Sequence, residues 1–164
     1  MRLAERGDAE AIAAIFNQGI EDRVATFETR HQHAEGWEQW LSAGDELVLV
    51  AEKDGGVVAW AAAGPYADRH HYYSGVAEAT MYVERDHRGR GIGVILLNAL
   101  ADAAARNGTY KLVGKIFTTN QASVSLVRAC GFREVGVHRR HGRLDGEWHD
   151  VMVVERLLGH ARMT

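Results

Sequence analysis

The chain reads as an α/β protein of the α+β kind, with a mixed central sheet and helices on both faces. Three observations predict this. Strand-like and helix-like runs alternate through the middle of the chain, as they do where helices cross between strands of one sheet. Two early apolar runs, 46–52 and 57–64, are separated only by the turn "KDGG", so part of the sheet is an antiparallel hairpin. The 164 residues are 46% hydrophobic and 25% charged, which suits one domain over 1–164 with a sizeable core and is too apolar for a disordered chain.

In order along the chain, Asp8 is placed to cap a first helix whose Ile12, Ile15, Phe16 and Ile20 share one face. A second helix carries Trp37, Trp40 and Leu41. The hairpin follows, then a strand over 76–84, "VAEATMYVE". A helix over 91–106 leads to a strand over 111–117, a helix over 121–130, a strand over 132–138 and a closing strand over 147–156. No linker, repeat or low-complexity segment interrupts this order, and Pro65 is the only proline.

Several function classes lose support at once. No apolar run reaches the ~18 residues of a transmembrane helix, and "MRLAERGDAE" lacks the apolar core of a secretory leader. The single cysteine, Cys130, forms no internal disulfide, which fits a cytoplasmic protein. A net charge of -3 gives a nucleic-acid role no electrostatic basis.

One segment concentrates positive charge and glycine where a helix begins. In "MYVERDHRGRGIGVILLNAL" a strand ends, Arg88 and Arg90 alternate with Gly89, Gly91 and Gly93, and an apolar helix starts. Unpaired N–H groups and the helix dipole favour an anion at such a start, and glycines let a phosphate oxygen approach the backbone. The same string also suits a glycine-rich turn with solvated arginines. No G-x-x-x-x-G-K-[ST] occurs, and the spacing here is G-x-G-x-G rather than G-x-G-x-x-G, so neither a P-loop nor a dinucleotide fingerprint fits.

"RGRGIG" resembles the [RQ]-x-x-G-x-[GA] acyl-CoA loop of the GNAT acetyltransferase superfamily. "AEATMYVERDHRGRGIG", "TTNQASVSLVRACGF" and "GRLDGEWHDVMVVER" resemble, in order, three blocks of its phosphinothricin and methionine sulfoximine N-acetyltransferase subfamily, and "IAAIFNQGIEDRVATFET" resembles its first helix and loop. The resemblance implies a GNAT fold with a twisted sheet of about seven strands, acetyl-CoA as co-substrate, no metal, and a homodimer. It implies that the strand ending at Val83 splays from its neighbour. Backbone groups of Met81 and Val83, with Tyr82 between them, then bond the pantetheine arm. Arg88, Gly89, Arg90, Gly91, Ile92, Gly93 and Val94 wrap the pyrophosphate, and Asn120 contacts the CoA. An exposed strand edge suits an amide-bearing ligand, and a helix start suits its phosphates.

Acetyl transfer to an amine requires a free nitrogen, and an aliphatic ammonium holds its proton up to a pKa of about 10.4. A base must take that proton. Glu78, inside an otherwise apolar strand, matches the acidic residue of the subfamily's "V-E-x-S-V-Y-V" block, and burial there is expected to raise its pKa. The backbone N–H of Val83 is the expected oxyanion donor. Tyr66, Arg69 and Tyr73 resemble the subfamily's substrate loop, Arg69 being suited to hold a carboxylate or phosphinate. Two positions depart from the pattern. Ser74 stands where relatives often carry arginine or another large residue, and Val127 stands where relatives place a tyrosine or histidine as general acid.

Other candidates are assigned structural roles. Cys130 ends a helix, where the dipole disfavours a thiolate, and reads as a buried thiol. The pairs His31 with His33 and His70 with His71 lack metal-ligand spacing. "HRRHGR" (138–143) reads as a solvated hairpin, its resemblance to the subfamily's penultimate loop also allowing a part in lining the substrate site or in a dimer contact, and Trp148 and His149 read as sheet and cleft wall. The leading function is transfer of acetyl to a small amino-acid-like amine. The alternatives are a protein N-terminal or lysine acetyltransferase and a non-catalytic CoA-binding regulator.

Overall fold

Strands β2 (Leu47–Lys53) and β3 (Gly56–Pro65) are apolar at nearly every position, so both faces of this hairpin must be covered. The computed structural model, which describes residues 1–67 and 70–159, shows how. On one face lie α1 (Ala9–Asp22) and α2 (Ala34–Ala43). There Ile12, Ile15, Val48, Val50, Trp60 and Ala62 form a core, with Phe16, Trp37 and Trp40 packed against it. On the other face α3 (Ile92–Arg106) buries Leu96, Leu97 and Leu100 against Leu49, Ala59 and Ala61.

The remaining strands are β1 (Arg2–Leu3), β4 (Val76–Val83), β5 (Lys111–Phe117), β6 (Arg133–Leu144) and β7 (Glu147–Leu157), with α4 (Gln121–Ala129) between β5 and β6. They complete a seven-stranded sheet in the order β1-β2-β3-β4-β5-β7-β6. Among the described residues only β4 and β5 pair in parallel, and α3 is the crossover that joins them. This is the mixed sheet with helices on both faces that the sequence predicts. Among the described residues no helix is long and apolar enough to cross a membrane.

Three local features differ from the sequence reading. Asp8 precedes α1 but makes no side-chain cap, because a 3-10 turn over Arg6–Asp8 has already made its backbone helical (φ -82°, ψ -9°). Its buried carboxylate instead accepts from the Arg2 guanidinium at 2.7 and 2.9 Å and from the Glu5 N–H at 2.7 Å. Strand β1, too short to carry a pattern, pairs with β2 and brings Arg2 there. Strand β6 runs to Leu144 rather than ending at His138. The hairpin turn is Asp145-Gly146, both at positive φ, as a two-residue turn requires. The basic string 138–143 therefore lies within β6, where a register shift between His138 and Gly142 absorbs extra residues and Arg140 takes φ 48°.

Candidate active site

The site begins with how β4 pairs. Its N–H and C=O groups must alternate between its two neighbours. The N–H of Glu84 donates to Val58 O at 2.8 Å, and β3 and β4 stay in one register from Val83 back to Ala77. Even-numbered residues of β4 thus bond β3, and Ala79, Met81 and Val83 turn their polar groups toward β5. Yet β5 pairs with β4 only through Val76, Ala77 and Glu78. Beyond Glu78 the strands separate, leaving a wedge whose β4 wall is an exposed backbone edge. A cavity of about 90 Å³ occupies the wedge, lined in part by Met81, Lys115, Asn120, Ser123, Leu126 and Val127.

The wedge opens into a groove of about 510 Å³ that runs to the start of α3. Met81, Tyr82, Val83, Arg88, Gly89, Gly91, Ile92, Gly93, Val94 and Asn120 all line it. The glycines act differently. Gly91 holds the helix N-terminus at φ 80° with open space where a side chain would be, whereas a Cβ at Gly93 would lie 2.5 Å from Leu126 Cδ1, so Gly93 permits close packing of α3 on α4. The first-turn N–H groups of α3 have no intrahelical acceptors. Arg88 is held beside them by Asp22 and by its Nε–H bond to Val83 O at 3.0 Å. Burial raises the Asp22 carboxyl pKa, but Arg88 and Arg85 outweigh it and hold the group below its ordinary range. Asn120 caps α4, accepting from the Ser123 N–H at 3.1 Å, and donates to Val24 O at 3.1 Å, tying the α1–α2 connection to the groove.

On the α1–α2 face of the sheet a second cavity, about 480 Å³, lies against Glu78 and Thr80. Phe16, Trp37, Trp40 and Trp60 form aromatic walls. Glu78 is not buried as expected: its side chain is 32% exposed, because its cross-strand neighbour is Gly64, which places nothing over it. Lys115 Nζ bonds both Glu78 carboxylate oxygens, at 3.1 and 3.0 Å. Glu46 folds over Gly64, where a Cβ would lie 2.5 Å from its carboxyl carbon, and accepts from Trp40 Nε1 at 2.9 Å. The arrangement sets a carboxylate on the wall of an aromatic chamber, at the point where the wedge begins.

A family model described as the acetyltransferase (GNAT) family matches residues 12–132. The chain belongs to the GNAT acetyltransferase family. It is 33% identical over 153 residues to the phosphinothricin N-acetyltransferase of Streptomyces viridochromogenes, covering 92% of this chain and 83% of that protein. It is 30% identical over 160 residues to the L-methionine sulfoximine/L-methionine sulfone acetyltransferase of Salmonella typhimurium, covering 94% and 92%. The crystal structure of a GNAT superfamily phosphinothricin acetyltransferase from Sinorhizobium meliloti in complex with acetyl-CoA superposes with a TM-score of 0.92 at 28% identity, covering 99% of this chain and 90% of that one. As a GNAT enzyme the chain is an acetyl-CoA-dependent N-acetyltransferase, and the groove, with the glycine-rich start of α3 at one end and the β4 edge at the other, suits that co-substrate.

Of the residues singled out in the sequence, Arg90 is exposed and does not line the GNAT groove. Tyr66 and Tyr73 contact each other edge to face, with centroids 6.2 Å apart. They do not line the aromatic chamber, which reaches their loop at Pro65. Arg69 lies outside the described residues. Cys130 is buried, and burial pushes its thiol pKa up. His31 faces Glu21 and His70 stacks on Tyr72, and among the described residues no three His, Cys, Asp or Glu side chains gather as metal ligands. Sequence reasoning missed the chamber walls and Lys115. The signal was present: Glu78, Thr80 and Tyr82 share one face of β4, and that face must meet the tryptophans of β3 and α2.

Proposed function

We propose that the protein transfers acetyl from acetyl-CoA to the amine of a small amino-acid-like substrate of the phosphinothricin or methionine sulfoximine type, by direct attack with Glu78 as general base. The observation that carries this is the position of Glu78, at the point where β4 leaves β5 and on the wall of the aromatic chamber. Bound acetyl-CoA supplies an activated acetyl thioester. Met81, Tyr82 and Val83 would hold its amide-bearing arm at the β4 edge, Arg88 to Val94 its phosphates, with Arg90 from the surface, and Asn120 the far wall.

The aromatic walls pack against the acceptor, and Glu78 takes the proton as the amine nitrogen becomes a nucleophile. The Val83 N–H, turned toward the wedge, suits the developing oxyanion. Tyr66, Arg69 and Tyr73 would hold the substrate's acidic end. A chamber walled by Phe16 and three tryptophans favours a small acceptor over an extended peptide. This reading takes residues 1–164 as one cytoplasmic acetyltransferase domain that binds neither nucleic acid nor membrane. The exposed Val135, Val137 and Trp148 of the β6–β7 hairpin support a homodimer face.

The test is CoA thiol release measured over a panel of amines: phosphinothricin, methionine sulfoximine, methionine sulfone, ordinary amino acids, and peptides with free N-termini or lysines. Turnover on the amino-acid analogues is expected. Release with peptides alone, or with none, overturns the reading.

A further inference from the structure

Valine at position 127 leaves the thiol's proton without an evident donor. Val127 lines the wedge cavity, and across that cavity, on β5, stands Lys115. Among the residues lining it, Lys115 and Tyr82 are the two whose side chains are weak acids. Tyr82 is a poor donor: burial pushes its pKa up to about 12, and its hydroxyl bonds Thr26. Lys115 borders the same cavity from β5. Its ammonium sits on both oxygens of Glu78 and keeps a third N–H for another acceptor.

We infer that Lys115 is the general acid of this enzyme and works with Glu78 as one proton-exchanging pair. The inference rests on the proposed role of Glu78. As the new C–N bond forms and the C–S bond breaks, Glu78 takes the proton leaving nitrogen and Lys115 gives a proton to the departing sulfur, which keeps the C–S electron pair. The pair is then a carboxylic acid beside a neutral amine. One proton crossing the 3.0 Å hydrogen bond restores carboxylate and ammonium. Counted from the neutral amine, this step neither gains nor loses a proton; the first proton of the ammonium has already left through Glu78 to solvent before attack. Position 115 does this because β5 alternates: Lys111, Val113, Lys115 and Phe117 share the Glu78 face, and β5 has separated from β4 by Lys115, so its side chain borders the wedge.

Other titratable groups lie near this end of the sheet: Glu46 over Gly64 and held by the Trp40 indole, Tyr82 on β4, Lys111 on β5, Glu155 and His149 on β7, and Glu28 between α1 and α2. Lys111 and Arg133 already hold Glu155, and His149 packs on Phe117. None of these bridges Glu78 to the wedge.

The experiment compares wild type with Lys115→Met and Lys115→Arg. Lysine-to-methionine keeps the stem on an exposed position, and kcat is expected to fall about 100-fold, the low end of general-acid effects because a thiolate leaves readily. Binding of acetyl-CoA, by calorimetry, stays within a few-fold. Arginine keeps the charge on Glu78 but does not release a proton, so kcat stays low. The second readout needs no turnover: thiolate absorbance of enzyme-bound CoASH is titrated against pH, with desulfo-CoA as the blank. An ammonium beside the sulfur lowers the bound thiol's pKa by about one unit or more relative to Lys115→Met. Restoration of kcat by arginine would reduce Lys115 to a positioning residue, and equal thiol titrations in wild type and Lys115→Met would place it away from the sulfur. A loss in Tyr82→Phe with Lys115→Met at the wild-type rate would assign the proton to Tyr82. Each overturns the inference. If wild type acetylates no amine, the functional reading fails while the thiol titration still decides Lys115.

Discussion

Glu78→Gln separates chemistry from stability in this protein. The substitution keeps size and hydrogen bonding but removes the proton acceptor and the ion pair with Lys115. Their side chains are 32% and 41% exposed, so the pair contributes only about 0–1 kcal/mol to folding. For a chain of this size that is a shift in Tm of about 4 °C at most. Loss of a general base costs roughly 10²–10⁴-fold in rate, which is about 2.7–5.4 kcal/mol at 1.36 kcal/mol per decade. The two effects differ enough to be read independently. Thermal melting gives the first, and CoA thiol release at saturating substrates gives the second. Acetyl-CoA affinity is expected to hold, because the groove is built from the β4 edge and the Arg/Gly loop rather than from Glu78. Raising the pH recovers part of the rate, since the free amine then forms without help. A folded Glu78→Gln enzyme with near-normal kcat would place the base elsewhere. A rate loss matched by an equal loss of acetyl-CoA binding would show that the residue supports the groove instead.

Gly91→Glu puts a carboxylate at the start of α3, in open space but at φ 80°. The strain costs about 1–2 kcal/mol of stability, and acetyl-CoA binding weakens by about 100-fold, ~2.7 kcal/mol. Calorimetry checks this, with Gly91→Ala isolating the strain, and unchanged affinity would move the phosphate site. Cys130→Ala retains most activity, and no labelled acetyl is trapped on wild-type Cys130 during turnover, because burial pushes that thiol's pKa up and away from reactivity. The Arg2 hydrogen bonds hold the Asp8 carboxyl pKa below its usual range, so the unfolded chain binds the extra proton as pH falls. The stabilisation is present above about pH 4 and is lost as pH drops through the folded-state pKa. Asp8→Asn is therefore less stable at pH 7 and shows a shallower acid decline in urea titrations from pH 3 to 7, whereas parallel curves would refute the assignment.

What the sequence disclosed depended on how local each signal was. The helices and the β2–β3 hairpin were legible because period 3.6 and period 2 are written in consecutive residues. The α3 start was legible for the same reason: strand, glycines, arginines and helix lie within one short string. Asp8 misled because a cap and an ion-pair partner use the same side chain, and the two-residue β1 that brings Arg2 to it has no pattern. The end of β6 misled because its charges look like a solvated turn, while the turn signal, Asp145-Gly146, lies further on. Glu78 was visible and its neighbours were not. Lys115 is 37 residues away, and only the short parallel register of β4 with β5 brings the two together.

That short register also explains why the fold can place chemistry here. A parallel pair held over its full length would satisfy the odd-numbered amides of β4 and bury them. By parting after Glu78, the strands leave the amides of Ala79 and Met81 and the N–H of Val83, whose carbonyl accepts from Arg88, facing a gap, which would be costly if they were sealed from water without partners. A ligand with its own amides relieves that cost. The same divergence exposes the side chain of Lys115 to the gap while Glu78, still within the paired region, stays fixed by strand geometry. One break in one ladder therefore provides a binding edge, a rigid carboxylate and a neighbouring ammonium. The two carboxylates then divide by their partners. Glu46 is fixed by the Trp40 indole and has a neutral donor. Glu78 is fixed by an ammonium that can itself exchange a proton. In the proposed mechanism only the second carboxylate has a neighbouring proton donor, so the chemistry is proposed for Glu78 and the shaping of the chamber for Glu46.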